Sequence, residues 1–208
     1  MLVRSQRLLS LILSLVVAGT VVACSRADGR SLPPPDPAST TTAPSTPALP
    51  TTPASAFTLR STSFPNGQIL AANLTCQGLG TSPDFTWTAP PADAVELALV
   101  VRDQTEGGYL HWVVTGIDPT TTGFSGDGLP EGALTAVNSS GSSGWSPPCP
   151  PAGTGVHTYE ATLYALKSIL PVEAGAPGTP TVALIEGARI AQASITATYS
   201  PDAPVPVP

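Results

Sequence analysis

The sequence predicts a mainly β domain, an antiparallel β-sandwich with small flanking helices, on three observations. Four short runs rich in β-branched and aromatic residues read as strands: Val95–Val101, His111–Ile117, Tyr159–Leu166 and Ser194–Tyr199. The chain between them is dense in Gly, Pro, Asp and Ser, as in IDPTTTGFSGDGLPEG from Ile117 to Gly132, which is turn chemistry. One segment alone has helical character: Thr179 is a candidate cap, Pro180 suits a first helical position, and Val182, Ile185 and Arg189 follow at three-to-four spacing. One helix among many strands sets the class.

Taken from the N-terminus, Arg4 and Arg7 precede LLSLILSLVVAGTVVA, the layout of an export signal over residues 1–23. The run ends in Val21-Val22-Ala23-Cys24, which resembles the site at which bacterial lipoproteins are cleaved and acylated, palmitate-type chains included, on the new N-terminal cysteine. A plain transmembrane anchor is the alternative, and roughly 16 apolar or small residues are short for a span. Residues 24–56 are dominated by Pro, Ser, Thr and Ala and cannot bury enough surface to offset chain entropy, so they are read as a disordered tether. The expected location is the extracytoplasmic side of a cell membrane, held by lipid on Cys24.

The globular part is expected over residues 57–200, followed by a Pro-rich tail, PDAPVPVP, over 201–208. From Phe57 onward there are four basic and twelve acidic residues, a net charge of −8. That balance excludes nucleic acid as a partner and disfavours anionic membrane surfaces. With Cys24 assigned to lipid, Cys76 and Cys149 are the two remaining thiols of an exported chain, and one connectivity is available to them. The alternative is two separate buried thiols.

The domain has two histidines, His111 and His157, each at the start of a strand run just after a glycine-containing loop. Asp103 ends the VELALVV strand one short loop before His111, so neighbouring antiparallel strands would bring Asp103 and His111 together. Tyr159 lies two residues after His157, on the same strand face. Two imidazoles, a phenol and loop amides form a donor set for a small oxyanion, with the Asp103 carboxylate orienting one imidazole and favouring its charged form.

PPAGTGVHTY (Pro150–Tyr159), HWVV (His111–Val114), SPDFTW (Ser82–Trp87) and the loop PPCPP around Cys149 together resemble the phosphatidylethanolamine-binding protein family, in its bacterial Raf kinase inhibitor-like branch. The similarity runs from about Phe57 to Tyr199. The resemblance implies a β-sandwich with small helices and a shallow anion pocket at one end, lined by Asp103, His111, His157 and Tyr159. The family's Asp-Pro-Asp-x-Pro is replaced by VRDQTEGG, so Asp103 stands for either aspartate and one is missing; Thr158 replaces the usual arginine.

The function expected is therefore a lipid-anchored binding module for a small phosphate-like or carboxylate ligand or a phospholipid headgroup, with no cofactor, resident metal or catalytic residue assigned. One alternative is an inhibitor or interaction partner of another exported protein. Another is an enzyme using His111, His157 and Asp103 as acid and base or as a metal site. Gly141-Ser142-Ser143-Gly144 does not fit a nucleophile elbow and reads as a loop.

Overall fold

The computed structural model of the protein describes residues 56–126 and 128–203. The export signal, Cys24, the tether as far as residue 55 and the last five tail residues lie outside the described residues. Among the described residues, nine strands and one α-helix follow in order: β1 (Leu59–Arg60), β2 (Gln68–Ile69), β3 (Phe85–Trp87), β4 (Glu96–Asp103), β5 (Tyr109–Ile117), β6 (Gly123–Phe124), β7 (Leu134–Thr135), β8 (His157–Leu166), α1 (Gly178–Ala188) and β9 (Arg189–Tyr199). A 3₁₀ turn covers Ala72–Leu74.

A six-stranded sheet, ordered β2-β9-β8-β4-β5-β7, carries the long strands, and a three-stranded sheet, β1-β3-β6, covers part of one face. The architecture is mainly β as expected, but it is mixed rather than strictly antiparallel, because β2 runs parallel to β9. Leu97, Leu99 and Val101 of β4 share a core with Leu59, Phe85 and Trp87 of the small sheet. Ala98 and Val100, on the opposite face, share a second core with Val182, Ile185 and Ala188 of α1. Covering on both faces explains why the centre of β4, Leu97 to Val101, reads as an unbroken apolar run instead of an alternating one.

The strands extend beyond the apolar runs that signal them. β4 continues through Arg102 and Asp103, β5 begins at Tyr109, β8 begins at His157, and β9 begins at Arg189, five residues before Ser194. The GFSG stretch read as loop contains β6, a pair of residues too short to show a period. The helix also differs from expectation. Its N-cap is Pro177 with no side-chain cap, so Thr179 and Pro180 lie inside the first turn, where proline's missing N–H is no loss. Thr181 Oγ1 donates to the Pro177 carbonyl at 2.8 Å. Arg189 is not a helical residue but the C-cap and the first residue of β9.

Gly178 opens the helix because a Cβ there would lie 2.2 Å from the Val137 carbonyl oxygen and 3.1 Å from Leu110. At the far end of β4, buried Glu96 accepts N–H bonds from Gly116 and Leu170, both at 2.9 Å. Gly116 has φ +69° and sits where the β4–β5 register shifts between Leu97 and Leu99, so Glu96 fastens a bulge.

Cys76 and Cys149 form a disulfide with Cα atoms 5.3 Å apart and a sequence separation of 73. Removing it by Cys76→Ser with Cys149→Ser is expected to lower unfolding free energy by about 2–4 kcal/mol, measured by urea titration. Gly178→Ala is expected to cost about 1–3 kcal/mol in the same assay, because helix start and Val137 cannot both keep their places.

Candidate functional site

The site is built at one end of the large sheet, where β4, β5 and β8 bring their polar ends into register. Asp103 pairs with Tyr109 of β5 on one side and with Tyr159 of β8 on the other. Asp103 is 1% exposed. Its Oδ1 accepts the backbone N–H groups of Thr105 at 2.8 Å and Glu106 at 3.2 Å, which folds the hairpin toward β5. Its Oδ2 lies 2.6 Å from Nδ1 of His157, itself buried. The other ring nitrogen of His157, Nε2, is 2.9 Å from the Thr154 hydroxyl, which donates to the Pro151 carbonyl at 2.7 Å.

His111 reaches the same face through a bulge. Val101 pairs with Trp112 while Arg102 pairs with Leu110, so His111 is the extra residue of β5 at this point. Bulges re-aim side chains, and here the imidazole packs 4.9 Å from the Tyr109 ring and 5.2 Å from the Tyr159 ring, centroid to centroid. Its Nδ1 is 2.7 Å from the Ser146 carbonyl, an acceptor, so Nδ1 carries the hydrogen and Nε2 is left as the free ring nitrogen. Burial pushes the His111 pKa below its ordinary value, against the opposing pull of the Ser146 carbonyl and the Asp103 and Glu106 carboxylates. The ring is therefore neutral near pH 7.

These residues border a cavity of about 240 Å³ lined by Asp103, Glu106, Tyr109, His111 and Tyr159 on the strand side. The opposite wall is the loop Ser146, Pro147, Cys149, Pro150 and Pro151. Larger hollows exist, including a groove of about 590 Å³ along Phe57–Thr62 and Ala193–Ile195. That groove has no buried ionisable side chain, so the smaller cavity is the better chemical candidate. The Tyr159 hydroxyl is buried without a hydrogen-bond partner. Burial, followed by the negative charge of Asp103, raises the Tyr159 pKa far above the usual phenol range, so the phenol is held as an O–H donor.

The arrangement differs from the sequence expectation in three respects. Asp103 engages His157 rather than His111, although both Asp103 and His111 line the cavity. His157 does not line it; the ring stands behind Asp103 with both nitrogens occupied. The Gly153 amide is held by the Asp202 carboxylate at 2.9 Å instead of facing the cavity. Thr158 lies between His157 and Tyr159 in β8 and so points to the opposite sheet face; its N–H donates to Thr105 Oγ1 at 2.9 Å. Glu106 and Tyr109 are cavity residues that strand patterning misses, since both fall in the polar stretch taken as a loop. The Asp103 carboxyl two and three residues before a turn was the available signal.

A metal set of His111, His157 and Asp103 is not what the fold assembles. Asp103, Glu106 and His157 instead place one ligand atom each within 4.8 Å of one another. Both oxygens of Asp103 and both nitrogens of His157 are already hydrogen bonded, so this group does not present an open donor set.

A family profile described as phosphatidylethanolamine-binding protein matches residues 60–200. A Mycobacterium tuberculosis (strain ATCC 25618 / H37Rv) protein named Putative lipoprotein LppC is 40% identical over 190 residues, covering 90% of this chain and 92% of its own. Among solved structures, Escherichia coli YbcL, described as a new member of the mammalian PEBP family, is similar at TM-score 0.65 and 31% identity, over 69% of this chain and 98% of that one. CT736 from Chlamydia trachomatis, named a Putative PhosphatidylEthanolamine-Binding Protein Homolog, is similar at TM-score 0.64 and 30% identity, over 71% and 99%. The cavity, the sheet order that builds it and these matches lead to one statement: the chain belongs to the phosphatidylethanolamine-binding protein family.

Proposed function

We propose that the protein is an exported, lipid-anchored binding module whose cavity takes a small phosphate-bearing group, of which a phosphoethanolamine headgroup is the best chemical match. The observation that carries this reading is the pairing, in one cavity, of a free imidazole nitrogen on His111 and a buried, unpartnered hydroxyl on Tyr159 beside two carboxylates. A phosphate oxygen accepts from the phenol, and an ammonium group is matched by the exposed carboxylate of Glu106. A cavity of about 240 Å³ is below the range of drug-sized pockets, roughly 300 Å³ and upward, which suits a headgroup fragment. Asp103 and His157 then act as positioning residues. They hold the hairpin and the Pro151–Thr154 turn in place around the ligand.

Anchoring through Cys24 is supported by the relative named a lipoprotein. Coverage of 90% of this chain exceeds what Phe57–Pro208 alone supplies, so the match continues into the segment before the domain. Cys24→Ala is expected to abolish incorporation of a metabolically supplied alkynyl fatty acid and to move the protein out of the membrane fraction. Retained label in that variant would exclude acylation at Cys24.

The pH dependence follows from His111. Its pKa is lowered, so Nε2 gains a hydrogen and becomes a donor only as pH falls through that depressed value. Phosphoethanolamine affinity, read by calorimetry from about pH 8 to about pH 5, is expected to rise toward acid in the native protein. In His111→Gln the contribution of this group is absent, and the acid-end affinity falls by about tenfold, the worth of one charge-assisted bond. Binding that is identical in the native protein and the variant at every pH would remove His111 from the site.

A further inference from the structure

The cavity has one wall made by strands and one made by a loop, and the two are secured differently. Asp103, His111 and Tyr159 stand in hydrogen-bonded ladders. The loop wall, Ser146–Pro151, belongs to no strand. Ser146 at its start is tied to the strand wall, its N–H donating to the His111 carbonyl at 2.9 Å and its carbonyl accepting from His111 Nδ1, while its middle meets the Thr75–Gly80 turn through the Cys76–Cys149 disulfide, a backbone bond from the Cys76 N–H to the Pro148 carbonyl at 3.1 Å, and Pro147 lying against Gly80. Beneath this joint, Leu74 and Pro148 border an internal void of about 20 Å³ together with Trp145 and Tyr159. Pro148 and Pro150 are buried here, and the bridge is the covalent part of the joint. Both cysteines are solvent exposed, and Cys149 is itself a cavity residue.

We infer that this disulfide is a redox latch on the cavity, opened by a dithiol protein of the exported space, and that ligand affinity depends on whether the latch is closed. The inference rests on the reading of the cavity as a ligand site. Exposed disulfides are the ones that exchange, since a thiolate needs a clear line to a sulfur. A thiolate of the partner attacks one sulfur of the bridge, forming a mixed disulfide and releasing the other as thiolate. The partner's second thiol then displaces the remaining cysteine. Two electrons and two protons pass to Cys76 and Cys149, and the partner leaves as its own disulfide.

With the bridge open, the Cys76–Pro148 backbone bond and the packing of Pro147 on Gly80 are what hold the loop to the turn. Ser146 stays bonded to His111 and the prolines keep the loop locally stiff, so the loop pivots at Ser146 and moves Cys149, Pro150 and Pro151 of the cavity wall together. The strand wall has its own ladders and stays in place. Redox state thus alters the cavity without unfolding the domain.

The test uses the full chain, oxidised or treated with a soluble dithiol at neutral pH without denaturant, with Cys149→Ser as an independent open form. Amide exchange at Cys76, whose N–H is held by the Pro148 carbonyl of the loop, is expected to quicken by about tenfold on reduction, while Ser146, β4 and β8 keep their protection. Phosphoethanolamine affinity is expected to drop by about tenfold in both open forms. A bridge that resists the dithiol until the strands also exchange, or reduction that changes neither Cys76 exchange nor affinity, would overturn the latch. If the oxidised chain binds no phosphoethanolamine, the ligand reading fails, while the exchange measurement still decides whether the loop is latched.

Discussion

One buried carboxylate organises the cavity end of this domain. Asp103 ends a central strand, folds the following hairpin with one oxygen and holds the His157 imidazole with the other. A carboxyl group at such depth is tolerated only where its lone pairs are met, and here they are met by two amides and the imidazole ring. The ring passes the restraint on to Thr154 and so to the glycine loop. A single side chain therefore fixes three segments distant in sequence, and the cavity shape follows from that junction.

The scaffold behind the junction is rigid because the long strands are buried on both sides. β4 is flanked by β5 and β8 and covered by the small sheet on one face and by α1 on the other. Such a strand cannot shift register without moving apolar side chains out of two cores at once. The bulges at His111 and at Gly116 are the two places where the β4–β5 ladder departs from regularity. The first aims an imidazole into the cavity. The second is fastened by Glu96 at the end away from it.

Much of the fold is legible in the sequence, and the limits of that reading have physical causes. The four long strands announce themselves because burial demands continuous apolar and β-branched residues. Their polar ends do not, since Asp103, Tyr109 and His157 are strand residues chosen for the site and not for the core. Strands of two or three residues, such as Leu59–Arg60 and Gly123–Phe124, carry no period at all. Three of the four expected site residues, Asp103, His111 and Tyr159, meet in one cavity, because strand alternation places side chains reliably. Which imidazole Asp103 would hold was not readable. That choice depends on the bulge at His111, and a bulge is a property of two strands together.

The pairing of β2 with β9 bears on how the domain reaches this state. Asn66 accepts the Thr196 N–H across 130 positions, and the parallel register of Gln68 with Ala197 sets the first part of the domain beside its last strand. Loop closure over that distance comes late and cannot be rehearsed locally. An edge of the large sheet is therefore finished only when the final strand has arrived. Because β9 stands between β2 and β8, this last strand closes two ladders at once, one of them to the first part of the domain.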